Sequence, residues 1–496
     1  MQSSTPASKP LKLNMKRTFI IGFAFFGILL LWQVYDSWCP TFLTELFKNS
    51  IYPNYAAMAE AEQDLAERQV QYLVGMVMAL DNLAALILLP IFGALSDKTH
   101  TKIGKRMPYI LIGTLICCIA FPFIPVFFHY SNLGAMIAMM AIVVLFAMMY
   151  RNPAVALMPD ITPKPLRSKA NGIINIMGYI GGAFATVVGL VFVLSQYLGT
   201  EVDKDATAAA GYTVYKEHTW AFNNIWAIEG PFLVASVLML ASAVVLFILI
   251  KENKIADEVK DDMARGELEA EVVDKIEDDK PMSKANFRML ILILVAEFFW
   301  FMADNGIATF MGNYAVYFLG TSTRSSMINV IVGGVGSVIG FAIGGFIAAK
   351  IGRKWTLFGG LGLSFLAYVL WAVLTFAANP GGSGVFPWWI FAIWFVKGFG
   401  MSLVHVNSFP MVVELCSSKK IGAFTGYYYA ASMAAQTITP VLLGLLMLNP
   451  SFGWEFLPVY GLACIAVAAL VFFFVKNVKT RKTKIETGLE AIGGDD

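Results

Sequence analysis

Residues 93–106 read Gly93-Ala-Leu-Ser-Asp97-Lys-Thr-His-Thr-Lys-Ile-Gly104-Lys105-Arg106 and follow a long apolar run. A shorter copy, Gly345-Phe-Ile-Ala-Ala-Lys-Ile-Gly352-Arg353-Lys354, begins 252 residues after the first and also follows an apolar run. A charged turn between two membrane-length apolar segments must lie outside the hydrocarbon, because buried charges are costly there. The repetition predicts two halves that share one type of inter-helix turn.

The composition is that of a membrane protein. Of 496 residues, 58% are hydrophobic and 14% are charged, whereas soluble domains carry about 25% charged residues. A helix needs about 20 apolar residues to cross the bilayer, and backbone in lipid must satisfy its own hydrogen bonds. The alternating segments of a membrane β-barrel are missing from the sequence. Twelve runs are long enough: 18–46, 70–96, 107–129, 133–159, 170–199, 229–252, 286–319, 325–350, 354–377, 387–415, 420–448 and 453–476.

The distribution of lysine and arginine predicts the orientation. The two ends of the chain and the loops after even-numbered runs hold 29 of the 36 basic residues. Such an excess is typical of the cytoplasmic side. We therefore expect a multi-pass protein of the plasma membrane with both termini in the cytoplasm. The first run is too long for a signal peptide.

Cysteine and histidine patterns indicate neither a disulfide framework nor a metal site. All five cysteines lie in or beside apolar runs, where they are expected to be buried small apolar residues. We predict no metal, no cofactor, no catalytic residue and no nucleic-acid partner. A monomer is expected to suffice.

Spacing indicates duplication of a six-helix unit. Run 4 ends at Asp160 and run 10 ends at Glu414, and in each case a glycine follows 12 residues later (Gly172 and Gly426). The predicted organisation is a tail (1–17), a six-helix bundle (18–252), a linker (253–285), a second bundle (286–476) and a tail (477–496). The charged linker is interpreted as solvated and partly helical, with a regulatory domain as the alternative, and the outer segment 200–228 could cover a pore mouth.

Small residues recur at every fourth position in three of the runs, a spacing that lets helices approach closely. They are Gly178 and Gly182 in run 5, Gly336, Gly340 and Gly344 in run 8, and Gly426, Ala430 and Ala434 in run 11.

The turn Gly93-x3-Asp97…Gly104-Lys105-Arg106 resembles the signature of the major facilitator superfamily between helices 2 and 3. Its longer loop, followed by Met107-Pro108-Tyr109, resembles the glycoside–pentoside–hexuronide:cation symporters and the sucrose-transporter-like branch. The stretch from Tyr150-Arg151 through Asp160 to Asn171-Gly172 is similar to the second of these. The resemblance implies an all-α fold of twelve transmembrane helices in two bundles, working by alternating access.

The resemblance also implies a cytoplasmic gate. Asp97 would face the start of run 11, and Arg106 would reach Asp160. Both contacts would exist when the protein is open to the outside and break when it opens inward. The alternative is that these charges only set topology and solvate a loop. The predicted gate residues are Gly93, Asp97, Gly104, Lys105, Arg106, Asp160, Arg167, Gly352, Arg353 and Glu414.

Ionisable residues deep in membrane helices usually face a cavity or a partner. The resemblance places runs 1, 4, 7 and 10 around a central cavity. Asp36 lies among aromatic residues that could stack on a sugar, although an aromatic belt at the membrane surface would also explain them. An Asp36–Arg151 couple would explain both charges. The predicted substrate-binding residues are Tyr35, Asp36, Trp38, Arg151, Trp300, Asp304, Asn305, Lys397, Asn407 and Gln436.

Proton coupling is favoured over sodium coupling. Melibiose-type relatives carry paired acids in the inner half of helix 2, whereas this chain has an apolar stretch there and only Asp81 upstream. A sodium site needs several oxygen ligands, but a proton needs one acid. The candidate proton carriers are Asp36, Asp81, Glu297 and Asp304.

The sequence therefore predicts a proton-coupled symporter of a sugar, with a di- or oligosaccharide or glycoside as substrate and the lipid bilayer as its surroundings. Alternatives are an exporter or transporter of lipid-like, amphiphilic or drug-like molecules, and a receptor of transporter fold that does not transport. No enzyme motif supports catalysis.

Overall fold

The computed structural model describes residues 11–192, 226–275, 283–321, 323–415 and 421–476. Within these residues the chain is all-helical, and twelve helical spans are long and apolar enough to cross a membrane. The first half contains α1 (Met15–Ile51), α2 (Glu60–Lys98), α3 (Met107–Ala120), α4 (Phe123–His129), α5 (Leu133–Asp160), α6 (Arg167–Val191) and α7 (Trp226–Leu249). Two linker helices follow, α8 (Glu252–Glu258) and α9 (Lys260–Lys275). The second half contains α10 (Lys284–Asn313), α11 (Thr323–Ile351), α12 (Arg353–Ala378), α13 (Trp388–Val413), α14 (Ile421–Met447) and α15 (Leu457–Phe473).

The spans follow the apolar runs closely, so the prediction of twelve membrane-length helices is confirmed. Polar N-caps mark several starts: the side chains of Asn14, Asn132 and Ser283 accept backbone N–H bonds of α1, α5 and α10 at 3.0–3.1 Å. The third span is two helices, α3 and α4, because Pro122 interrupts the run. The outer segment 200–228 lies almost wholly outside the described residues.

The same helix pairings recur in both halves. In the first half α1 packs on α6 and α7, and α3 packs on α5; in the second half α10 packs on α14 and α15, and α12 packs on α13. Each half has its own buried apolar core. This correspondence is what duplication of a six-helix unit produces.

Part of the linker packs against the first half. Ile255 and Val259 belong to the core of the first half, and Glu252 is only 4% exposed. On α9, Gly266 lies against Pro163 and the loop before α6. The described linker residues form helices and most of residues 253–268 are exposed, in agreement with a solvated and partly helical linker, while Ile255, Val259 and Gly266 dock on the first half.

The two halves contact each other near one face of the molecule and stand apart near the other. We call the face where α1 begins and α15 ends the terminal face, and the opposite one the far face. Contacts between the halves join α2 to α14, α6 to α11 and α1 to α10. At Gly75 of α2, a Cβ would stand 2.1 Å from the carbonyl oxygen of Pro440 on α14. Arg324 Nε of α11 donates to the carbonyl oxygen of Leu190 on α6 at 3.2 Å. These contacts all lie toward the far face.

Toward the terminal face the halves stand apart. Between residues 70 and 79 of α2 only Met76 is exposed. Nearer the terminal face α2 exposes about half of its circumference, and the side chain of Asp97 is 60% exposed. On α14, no heavy atom lies within 4 Å of where a Cβ of Gly426 would stand. The cleft between the halves therefore opens at the terminal face.

The three rows of small residues differ in how closely they bring neighbouring helices together. Along α11, Cβ atoms at Gly336 and Gly340 would collide with α13, so this row does bring two helices together. In the α6 row, a Cβ at Gly178 would lie 2.7 Å from the side chain of Leu29 on α1, whereas Gly182 has open space around it. On α14 the row beginning at Gly426 makes no close helix contact at that glycine.

Candidate functional site

A cavity of about 580 Å³ lies between the halves, within the ~300–1,000 Å³ typical of small-molecule sites. Its walls come from α1, α2 and α5 of the first half and from α10, α11, α13 and α14 of the second. Aromatic side chains and groups that form hydrogen bonds share these walls. The aromatic lining is Trp32, Phe301, Phe341, Trp394, Tyr428 and Tyr429.

The first half contributes three charged side chains. Asp36 on α1 is exposed to the cavity, and Asp81 on α2 is 7% exposed but lines the same cavity. The two carboxylates are close enough to interact electrostatically, and Asp81 Oδ1 accepts the backbone N–H of Asn82 at 2.7 Å. Arg151 of α5 also lines the cavity. Among the ion pairs of the described residues, none joins Asp36 to Arg151, so the predicted couple is not formed in this structure.

The second half contributes a cluster of three ionisable side chains, in which the charges of an acid and a base offset each other. The ammonium group of Lys397 on α13 contacts the carboxylate of Asp304 on α10. His405 Nε2 lies 4.0 Å from the other carboxylate oxygen of Asp304. The Lys397 ammonium also lies 5.2 Å from the centroid of the Trp394 ring, a cation–π geometry. Asp304 is therefore held by two basic neighbours, unlike Asp36.

Several residues predicted to bind substrate do line the cavity, and substrate contact remains a prediction for them: Asp36, Arg151, Asp304, Lys397 and Gln436. The side chain of Asn305 lies outside the described part of the chain.

Other residues predicted to bind substrate do not line the cavity in this structure, and substrate contact stays a prediction for them. Tyr35 and Trp38 are 1% and 2% exposed and belong to the core of the first half. Trp300 is fully buried in the core of the second half. Asn407 donates its amide to Leu403 within α13, 2.8 Å away.

Glu297 of α10 is a predicted proton carrier in the second half. Its side chain is fully buried and does not line the cavity. Its role as a proton carrier stays a prediction.

Sequence reasoning missed lining residues on α1, α2 and α14. Gln33 and Asn82 line the cavity beside the acids, and Ser432 lines it on α14. On α1 the signal was available, because residues three or four positions from Asp36 share its helical face, whereas neighbours one or two positions away do not. On α14, Ser432 lies four residues before the predicted Gln436 and so shares its helical face, whereas on α2 Asn82 directly follows the predicted Asp81, a spacing that does not place two side chains on one face.

The gate motif forms a compact network at the terminal face. Arg106 is 4% exposed and donates from Nε to Asp160 Oδ2 at 2.7 Å. Its other guanidinium nitrogens contact Ser96 and Asp97. Lys105 Nζ lies 3.1 Å from Asp160. Burial lowers the pKa of Arg106, but the hydrogen bonds and charges of Asp160 and Asp97 outweigh it and raise the pKa above its usual value.

The second copy of the motif repeats this contact. Arg353 Nε lies 3.3 Å from Glu414 Oε1, matching Arg106 and Asp160 in the first half. Both copies also place a glycine at positive φ just before the basic residues, with φ of 122° at Gly104 and 89° at Gly352.

Other gate residues act within the first half. Arg167 donates to the carbonyl oxygens of Thr162 and Pro159 at 3.1 and 2.9 Å, which holds the turn before α6. A Cβ at Gly93 would lie 2.6 Å from Asn152 Nδ2, so the glycine lets α2 approach α5.

One of the two contacts expected at the gate behaves differently from the expectation. Asp97 pairs with Arg106 of its own half and is largely exposed; its contact with the start of α14 was expected only with this face closed, so that expectation stays a prediction. The Arg106–Asp160 pair was expected to break when the cleft opens at this face, yet it is intact with the cleft open. The pair therefore fastens helices within one half and does not itself lock the halves together.

Comparison with known proteins agrees with this architecture. The family model described as Major Facilitator Superfamily matches residues 38–386 and 293–492. A comparison with curated proteins gives no match. A D-xylose-proton symporter structure is 14% identical with a TM-score of 0.63, covering 92% of this chain and 97% of that one. The inward open xylose transporter XylE from E. coli is 14% identical with a TM-score of 0.60 over 93% and 96% of the chains. A POT family transporter in complex with 5-aminolevulinic acid is 11% identical with a TM-score of 0.60 over 93% and 95%. At these identities the likeness is one of fold.

Proposed function

The chain belongs to the Major Facilitator Superfamily, and from this premise we propose that it is a secondary active transporter that carries a sugar or glycoside together with protons by alternating access. The observation that carries the proposal is the cavity between the halves, which combines aromatic faces with ionised and amide groups and opens at a single face. Such a cavity suits a small hydrophilic solute that must be released to one side at a time.

The lining supports a sugar more than an apolar substrate. Aromatic rings such as those of Trp32 and Trp394 offer surfaces for the C–H faces of a sugar ring, while Asp36, Arg151 and Gln436 offer groups for its hydroxyls. A transporter of lipid-like or drug-like molecules would leave these charges unpaired against an apolar ligand, which is energetically costly.

For the coupling ion we propose a proton carried by Asp36 and Asp81. Two neighbouring carboxylates facing one cavity repel each other when both are ionised, so one proton between them relieves the repulsion. Asp304 is a weaker carrier because the positive charge of Lys397 favours its ionised form. Release of the proton and the solute into the same cleft would couple their movements.

We further propose that the protein works as a monomer in the plasma membrane with both termini in the cytoplasm. The bias of Lys and Arg toward one side supports this orientation. In that orientation the cleft of this structure faces the cytoplasm.

Uptake into proteoliposomes tests the function. The purified protein is reconstituted, and labelled xylose, sucrose, maltose, lactose and melibiose are offered under a proton gradient, under a sodium gradient and under neither. We expect uphill uptake of at least one sugar with the proton gradient only. Acceleration by sodium at fixed pH would overturn the proton assignment, and failure to move any sugar would overturn the substrate class.

A further inference from the structure

At the far end of the cavity, one side chain of the second half inserts among three polar side chains of the first. Asn313, the last residue of α10, accepts a hydrogen bond from Thr41 Oγ1 at 2.8 Å through Oδ1. Its Nδ2 donates to Thr44 Oγ1 at 3.2 Å and to Gln71 Oε1 at 3.1 Å. All four side chains are at most 1% exposed. We call these four residues the far-face latch.

The latch differs from an ordinary contact between helices because every partner of Asn313 here lies on the other half. Thr41 and Thr44 belong to α1, and Gln71 belongs to α2. Separation of the halves at the far face therefore breaks all three bonds at once. An amide has two N–H donors and an oxygen with two lone pairs, so both donors and one acceptor position of Asn313 are committed to the closed far face.

The partners are neutral, which makes the latch reversible. An ion pair at this depth would have to be stripped of water each time the face closed, and that desolvation can exceed the attraction gained. Neutral hydroxyl and amide groups exchange protein partners for water at much smaller net cost.

Asn313 also borders the cavity. Asn313 and Thr41 are both part of the lining, together with the neighbouring residues Met311 and Gly312. The amide that closes the far face therefore lies at the wall of the cavity, where a solute can reach it once the latch opens. Gln71, by contrast, belongs to the latch without lining the cavity.

The chain just after Asn313 adds a second tie to α1. Residues Tyr314–Phe318 form a π-helical turn, a deformation often found at functional sites. On this turn, Tyr317 donates its hydroxyl to Glu45 Oε1 at 2.7 Å. The end of α10 therefore meets α1 at two levels, with Asn313 at the level nearer the cavity.

We propose that Asn313 is the residue that links cavity occupancy to closure of the far face. With the far face open, its amide binds a hydroxyl of the solute or water. Closure transfers the amide to Thr41, Thr44 and Gln71. The solute part of this proposal rests on the proposed function, whereas the latch part does not.

Distance measurements between spin labels test the latch without any substrate. Cysteines replace Ser131 in the first half and Ser383 in the second, both exposed in loops at the far face, in a background lacking the five native cysteines. A second label pair at Lys102 and Lys350 reports on the terminal face. For Asn313→Ala we expect the ratio of far-face-open to far-face-closed molecules to rise at least tenfold, with the terminal-face pair closing in parallel.

Matched variants distinguish the effect of breaking the latch from the effect of removing any buried amide. Asn407→Ala removes a buried asparagine that bonds within its own helix, and it should leave the distances unchanged. Gln71→Leu should open the far face by a smaller factor than Asn313→Ala. Distances in Asn313→Ala that match the parent would overturn the latch; if that variant does not fold, unchanged distances in both Thr41→Val and Gln71→Leu would do the same.

The exchange of partners is tested by uptake of whichever sugar of the panel is transported. Asn313→Ala should raise KM severalfold more than Gln71→Leu, because only Asn313 faces the solute. Equal KM values in the two variants would overturn the exchange. If no sugar of the panel is transported, the proposed function fails while the label distances still decide the latch.

Discussion

Arg106 Nε donates to Asp160 Oδ2 at 2.7 Å although the cleft at this face is open. The equivalent pair, Arg353 and Glu414, is also formed in the second half. Because each pair joins helices of one half, both should act as internal braces that persist through the transport cycle.

The first prediction follows from this geometry. Asp160→Asn removes a hydrogen bond between charged groups that is largely buried, and bonds of this kind contribute about 1.5–3 kcal/mol. We expect the free energy of unfolding to fall by that amount, as measured by denaturant titration in micelles, while the spin-label distances at both faces stay as in the parent.

Glu414→Gln is the matched change in the second half. Its effect on unfolding should be smaller, because the Arg353–Glu414 contact is longer, at 3.3 Å, and the Arg353 side chain is 24% exposed. A variant of either acid that shifts the distances without lowering stability would instead show that the pairs lock the halves together.

The second prediction concerns Gly104 and Gly352, the two glycines of the gate motif that have positive φ. At Gly352, φ is 89° and ψ is 149°, a region almost restricted to glycine, and no atom would touch an added Cβ. Gly352→Ala should therefore cost only the backbone strain, about 1–3 kcal/mol. Gly104→Ala should cost more, because its Cβ would stand 2.1 Å from Glu252 Oε2.

Glu252 cannot simply move aside, since its carboxylate accepts the backbone N–H groups of Lys105, Arg106 and Met107 at 2.9–3.1 Å. This is a favourable site for an anion at the start of a helix. Unfolding measurements on Gly104→Ala, Glu252→Ala and the double variant should give a double-variant cost below the sum. Strict additivity would contradict the clash.

The third prediction addresses the seam between α2 and α14. A Cβ at Gly75 would meet the Pro440 carbonyl at 2.1 Å, and one at Gly444 would meet Tyr72 Cα at 2.4 Å. Either alanine substitution should hold the far face open, with loss of uptake and a far-face label distance that no longer populates the closed value. Gly362→Ala, where nothing lies within 4 Å, is the control that should behave as the parent.

The membrane spans could be predicted from the length of the apolar runs, and the two halves from the repeated spacing. The pairing of Arg106 with Asp160 could be predicted from the resemblance of its motif. The cavity lining was predicted less well. Tyr35 and Trp38 were grouped with Asp36 by proximity in sequence, but one or two residues along a helix turn a side chain away from its neighbour's face. The latch around Asn313 depends on how two bundles tilt together, and no local sequence pattern specifies that tilt.

The final prediction separates coupling from binding. Asp36→Asn and Asp81→Asn each remove one carboxylate of the pair, so no repulsion remains for a proton to relieve. We expect each variant to lose uphill uptake driven by a proton gradient while retaining exchange of labelled for unlabelled sugar, because exchange needs no net movement of protons. In the parent, uptake should rise as the pH outside the vesicle falls, and this dependence should flatten in both variants.

Asp304→Asn provides the contrast. It leaves Lys397 buried without its carboxylate partner. Removing one partner of a fully buried ion pair lowers the free energy of unfolding by about 3–5 kcal/mol. The loss should be smaller here, because the Asp304 side chain is 34% exposed. We therefore expect lower stability and impaired exchange, with the pH dependence of the remaining uptake unchanged. If Asp304→Asn flattens the pH dependence while Asp36→Asn and Asp81→Asn do not, the proton is carried in the second half and the assignment to the first is wrong.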